Sequence, residues 1–186
     1  MTAWDLDPSR SELLLWTEKE GLLSRVAHDL CLAASDYTAR LEEREGALEV
    51  VVRVQVASLR VRGHVRGGEV TPLSAKDHAE IERNLCSTDV LDAGRFPALE
   101  WRGQGALGAG GVVRCAGELS LRGRTAPLAC EGRLLREEGL VRVEGQVSFA
   151  QTRFGIRPFR AMMGALKVKD EVRVTWRLTL APAEGT

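Results

Sequence analysis

Aromatic residues are scarce in this chain: Phe, Tyr and Trp together make up 5% of it. That is too few for the exposed stacking platforms an all-β nucleic-acid binder needs. An excess of one charge is also missing, since 26 Lys and Arg face 26 Asp and Glu. No segment gathers basic residues without interleaved acids, so no nucleic-acid partner is expected. Long hydrophobic runs are absent. The opening "MTAWDLDPSRSELLLW" carries acids where a signal peptide needs a basic region, and its apolar run, Leu13 to Trp16, is too short for a signal core or a membrane span. The reading is a cytoplasmic protein without a transmembrane segment.

Reactive and metal-ligating groups are equally thin. The four cysteines, Cys31, Cys86, Cys115 and Cys130, are far apart and form no C-x-x-C. Three of them sit in apolar strand or helix patterns, so small buried hydrophobes are expected rather than a disulfide or a zinc site. The three histidines, His28, His64 and His78, lack metal-ligand spacing. His64 reads as part of a glycine-rich exposed loop and His78 as part of a helix face. His28 and Asp29 are strand neighbours that alternation sends to opposite faces, not a catalytic dyad. There is no G-x-S-x-G and no H-E-x-x-H. "GQGALG" (103–108) matches a dinucleotide fingerprint by letter, but a strand rather than a helix follows, so it reads as a turn. No metal, no cofactor and no enzymatic activity are expected.

What the chain does have is alternation. Its 186 residues are 44% hydrophobic and 28% charged, enough for one core, and 1–186 is read as a single domain. In "LEVVVRVQVASLRV", Leu48, Val50, Val52, Val54 and Val56 share one face while Glu49, Arg53 and Gln55 take the other, as in a half-buried antiparallel strand. The pattern returns through Val113–Leu121, Val141–Phe149 and Val172–Leu180. Further strands are read near Glu12–Lys19, Leu30–Leu41, Ala98–Ala106 and Leu128–Arg136, joined in part by glycine turns that include the run Gly103–Gly111. About eight strands in hairpin succession predict an all-β closed antiparallel barrel, because closure removes the edges. Glycines 117, 132 and 145 fit bends in a curved sheet.

Two segments break the rhythm. "TPLSAKDHAEIERNLCS" carries an S-x-x-D cap at Ser74 and Asp77 and predicts one inserted amphipathic helix, lying across the barrel wall or its mouth and packed through Ile81 and Leu85. "TRFGIRPFRAMMGAL" has no clean period and predicts a loop and short turn at a barrel mouth.

The stretch "STDVLDAGRFPALEWRG" (87–103) holds Asp89, Asp92 and Glu100 around Arg95, which suggests acid/base chemistry. The Asp residues fall in a turn, and Glu100 alternates with Leu99 and Trp101, so the carboxylates do not converge. The apolar members, Phe96, Leu99 and Trp101, point inward instead.

This stretch, as "LCSTDVLDAGRFPALEW", also resembles a segment of the YceI-like family. "CAGELSLRGRTAPLACEGRL", the opening "WDLDPSRSELLL" and "FGIRPFRAMMGALKVKDEVRVTWRL" resemble that family's other conserved segments in the same order. The resemblance implies a lipocalin-like barrel and an elongated apolar tunnel that holds a polyisoprenoid chain such as a quinone tail. The chain departs from the family at "KEGLLSRVAHDL", and "QTRFGI" lacks the acid often found before the aromatic-glycine pair.

The resulting expectation is a hydrophobic small molecule, isoprenoid or fatty-acyl, held in the barrel by a carrier or sequestering protein. Leu15, Leu99, Trp101, Leu119, Leu121, Val147, Phe149 and Trp176 are the expected inner wall. Phe154, Met162 and Met163 are expected at an adaptable mouth, and His28 at the head-group. A homodimer is compatible with this reading. The alternative is a barrel filled by its own side chains, serving as a ligand-free interaction or stress-accessory module.

Overall fold

The alternating segments close into a ring, but several of them bend on the way. The computed structural model describes residues 2–20, 29–161 and 166–183. In chain order the elements are β1 (Thr2–Leu6), β2 (Glu12–Glu20), β3 (Asp29–Ala34), β4 (Tyr37–Arg44), β5 (Ala47–Gln55), β6 (Leu59–Arg66), β7 (Glu69–Thr71), α1 (Ala75–Cys86), β8 (Ala98–Leu107), β9 (Val112–Leu121), β10 (Arg124–Pro127), β11 (Cys130–Glu137), β12 (Leu140–Ala150), β13 (Arg160–Ala161) and β14 (Leu166–Pro182). Eight of them form a closed antiparallel barrel in the order β1-β4-β5-β8-β9-β11-β12-β14, with β14 returning to β1. Strands β2, β3, β6 and β7 continue outward from β14 as an extension of the same sheet.

The extension exists because two of the strands read from the sequence turn a corner, and a third corner joins β2 to β1, a strand the sequence reading does not include. The segment expected as one strand over Leu30–Leu41 breaks at Ser35 and Asp36, and the segment over Leu48–Val61 breaks at the short turn Val56–Ser58. The two corners satisfy each other's backbone. Ser35 Oγ donates to Ser58 O at 2.9 Å, Ser58 Oγ donates to Asp36 O at 3.1 Å, and Gln55 N donates to Asp36 O at 3.0 Å. These bonds replace the ladder hydrogen bonds that a corner forfeits. The third corner, between β1 and β2, is held by Asp7, which accepts from Ser9 N at 3.0 Å, and by Ser11 Oγ, which accepts from Thr179 N at 2.9 Å.

The stretch around His64 is a correction. It is not an exposed loop: His64 lies half-buried on β6, which turns at Gly67 and Gly68 into β7. Likewise Gly103 and Gly105 lie within β8, not in a turn. Their role is steric. A side chain at Gly103 would come within 2.3 Å of the Trp101 ring, and one at Gly117 within 2.6 Å. Gly145 makes the same room for Trp176, whose ring lies 2.6 Å from where a Cβ would sit. Each indole thus lies flat over bare backbone on the inner face.

Helix α1 starts as its cap predicts, with Ser74 Oγ accepting from Asp77 N at 3.1 Å. Its docking differs from the expectation. No residue of α1 is buried, and Glu82 fixes the helix to the sheet by accepting from Val61 N at 3.1 Å. Ile81 and Leu85 are half-buried and face the barrel interior.

The tightest packing lies at Leu48, Val56, Leu59, Val141 and Phe154. Tyr37, at the corner between β3 and β4, is 9% exposed, and its hydroxyl has no hydrogen-bond partner. Burial, with Glu12 nearby, pushes the phenol up to about 12. An orphaned buried hydroxyl costs about 1–3 kcal/mol. Tyr37→Phe should therefore leave stability unchanged or raise it by about 1 kcal/mol. Urea unfolding checks this, and a loss of similar size would contradict it.

Candidate functional site: an apolar cavity in the barrel

The inward positions of the pleat enclose a cavity of about 750 Å³, within the size range of small-molecule and cofactor sites. One rung of its wall can be followed strand by strand: Leu48 lies opposite Gly105, Gly105 opposite Cys115, and Cys115 opposite Cys130. Across the barrel, Val147 lies opposite Val174, Val174 opposite Leu15, and Leu15 opposite Leu32. The pleat alone produces this surface, since every second residue of each strand points inward.

Inner-wall residues divide into two groups. Leu119, Leu121, Leu128 and Leu134 are buried by their neighbours. Leu15, Val50, Val52, Leu99, Val143, Val147, Phe149 and Val174 line the cavity yet stay only half-buried. Since alternation points these side chains inward, their open area faces the cavity. A side-chain-filled core would close that area.

Charged and polar lining groups come from α1 (Asp77, Glu80, Asn84), the end of β2 (Lys19), the start of β14 (Lys167) and the segment before β13 (Arg157). Lys167 pairs with Glu20 at 2.6 Å. Phe159 also lines this end and is 58% exposed. The cavity opens here, and the rest of the wall is mostly apolar, with Thr17, Arg40, Glu131 and Gln151 as its polar or charged members.

Alternation placed most of the expected wall. Leu15, Leu99, Trp101, Leu119, Leu121, Val147, Phe149 and Trp176 all line the cavity. Trp101 is fixed by its indole Nε1, which donates to Leu128 O at 2.9 Å. Phe154 is placed differently. It is 1% exposed and packs edge-on against Phe149 at 5.5 Å, in the core and not at a mouth. Phe96 does not line the cavity either; it covers Gly123. His28, Met162 and Met163 lie outside the described residues. The sequence reading puts α1 across the barrel wall or its mouth and the stretch holding Arg157 and Phe159 at a mouth, and both line this end of the cavity; the particular α1 residues, Asp77, Glu80 and Asn84, are not singled out by it. The amphipathic pattern of α1 places its apolar face, with Ile81 and Leu85, toward the barrel but does not say which of its polar residues reach the cavity.

The carboxylates of the 87–103 stretch remain apart. Glu100 pairs with Arg102 at 2.6 Å. Asp92 holds a tight turn, with its carbonyl accepting from Arg95 N and Phe96 N. Among the described residues no group of three or more His, Cys, Asp or Glu is placed to hold a metal ion. No described helix is long and apolar enough to cross a membrane.

A closed eight-strand antiparallel barrel around a ligand-sized apolar cavity, with a helix at its opening, places the chain among lipocalin-like barrels. The chain belongs to the YceI-like family, whose domain model matches residues 4–180. Among solved structures it is similar to Burkholderia cenocepacia BcnA, with a TM-score of 0.72 at 15% identity over 94% of this chain and 98% of that one. It is also similar to the Campylobacter jejuni YCEI protein, with a TM-score of 0.59 at 10% identity over 82% of this chain and 84% of the other. At these identities the likeness speaks for the fold. No curated protein matches the chain.

Proposed function

We propose that this protein binds one elongated hydrophobic molecule inside the barrel, as a carrier or sequestering protein. An isoprenoid chain, a quinone tail or a fatty-acyl chain would suit it. The observation that supports this reading is the cavity of about 750 Å³ with its ring of half-buried aliphatic side chains. Desolvation supplies the affinity: each methylene buried contributes about 0.8 kcal/mol. Several isoprene units would offset the cost of ordering the chain. The charged groups at the opening would keep a polar head-group near water while the tail enters.

The test is mass spectrometry of organic extracts from protein purified under native conditions. A hydrophobic molecule at near-equimolar ratio to the protein is the expected result. Extracts with none, from protein that also takes up no added lipid, would favour a ligand-free interaction module.

A further inference from the structure

We propose that α1 is a gate over the cavity, hinged at its C-terminal end and latched by Glu82 to the free edge of β6. Strand β7 pairs with β6 at residues 64–66, so residues 59–63 of β6 have no strand beyond them on that side. Helix α1 takes the place of the missing strand. An edge N–H turned away from water needs an acceptor, and Glu82 supplies one to Val61 N at 3.1 Å. Ile81 and Leu85 close the cavity here, yet no residue of α1 is buried. Its apolar face looks onto open space and not onto packed side chains.

The helix is attached unevenly. At its C-terminal end, Leu91 N donates to Leu85 O and Ala93 N to Cys86 O, both at 3.1 Å, and Leu91 is buried. The next tie is the Glu82 carboxylate, which also lies 3.9 Å from Arg60 Nε. Arg60 is itself held at the corner between β5 and β6, where it donates to Ala57 O at 2.7 Å and to Leu59 O at 3.1 Å. In the first turn, the bonds between Ser74 and Asp77 are local. Among the described residues, no hydrogen bond joins that turn to the sheet.

A segment with few buried apolar contacts opens at low cost, and the lids of binding sites are drawn from such segments. Releasing Glu82 frees α1 to swing about residues 85–93. That widens the opening bordered by Asp77, Glu80 and Asn84, and an elongated chain can enter along its length instead of threading end-on. Glu82 does not line the cavity, so a change at this residue acts on the helix and not on the bound chain. The passage of a chain through this gate rests on the binding function proposed above.

The Glu82 side chain is 27% exposed, and a partly exposed hydrogen bond to a charged group is worth about a factor of ten in an equilibrium. A chain passes the gate both on entry and on exit. Both rates therefore follow the open fraction, and Kd does not. Stopped-flow mixing of a dansyl-labelled long-chain fatty acid with wild type, Glu82→Gln and Glu82→Ala tests this. Association and dissociation should both be about tenfold faster in Glu82→Ala at unchanged Kd. Glu82→Gln, which keeps an acceptor oxygen but loses the charge, should fall between, and it carries the test should Glu82→Ala fold poorly. Unchanged rates in a folded variant, or faster dissociation alone, would overturn the gate. Amide exchange of the ligand-free wild type gives an independent reading. Val61 N–H should exchange ahead of the β6 amides that pair with β3, and exchange in step with them would also overturn the gate. Wild-type protein that takes up no probe would count against the binding function alone, and the Val61 amide would still decide whether α1 opens.

Discussion

Val174→Trp should lower the affinity for a long apolar chain by about two orders of magnitude and leave the fold standing. Val174 faces the cavity between Val147 and Leu15, and all three side chains are only half-buried. An indole there extends into open space and shortens the path available to a chain. Excluding about four methylenes removes about 3 kcal/mol of transfer free energy, which is about a hundredfold in Kd. Leu121→Trp makes the contrast. Leu121 is 4% exposed, so the same added volume overpacks the wall and costs about 1–3 kcal/mol of stability. Probe titrations paired with urea unfolding of both variants separate the outcomes. A Val174→Trp protein that binds normally, or one destabilised as much as Leu121→Trp, would mean that the space is not open at that rung.

Trp101→Ala should lose about 3 kcal/mol of stability, the lower end of the range for deleting a buried large ring. The indole covers the bare backbone of Gly103 and Gly117, and its Nε1 donates to Leu128 O at 2.9 Å. Removing it strips two strands of their cover and orphans a carbonyl. The lower end applies because the ring is only half-buried and already borders a cavity. Trp101→Phe keeps most of the packing and loses the hydrogen bond, for about 1 kcal/mol. Denaturation midpoints of the three proteins check the order. Equal losses in the two variants would assign the whole effect to the hydrogen bond.

The wall was legible because a pleat has a fixed period. Knowing that Leu99 and Trp101 alternate with Glu100 is enough to choose their face. The corners were not legible for the same reason. Val54, Val56 and Leu59 all look apolar and extended, and only the exchange of hydrogen bonds among Ser35, Asp36 and Ser58 shows where the chain turns. Phe154 lies in a stretch without a period, so its apolarity could be counted but not aimed. The cysteine pair was hidden by register. Nothing in the spacing of Cys115 and Cys130 shows that β10 folds back on β9 before β11 begins. Helix α1 was found by its cap and periodicity, but its apolar face looks into a cavity instead of a filled core, and amphipathic spacing cannot tell these apart.

Stripped of bound lipid, the protein can be titrated with a series of fluorescent chains of increasing length, and this tests the cavity reading most directly. The account predicts saturable one-to-one binding that strengthens about fourfold with each added methylene, as about 0.8 kcal/mol per group requires, and then levels off once the chain fills the cavity of about 750 Å³. Binding that is absent, or that does not change with chain length, would contradict it.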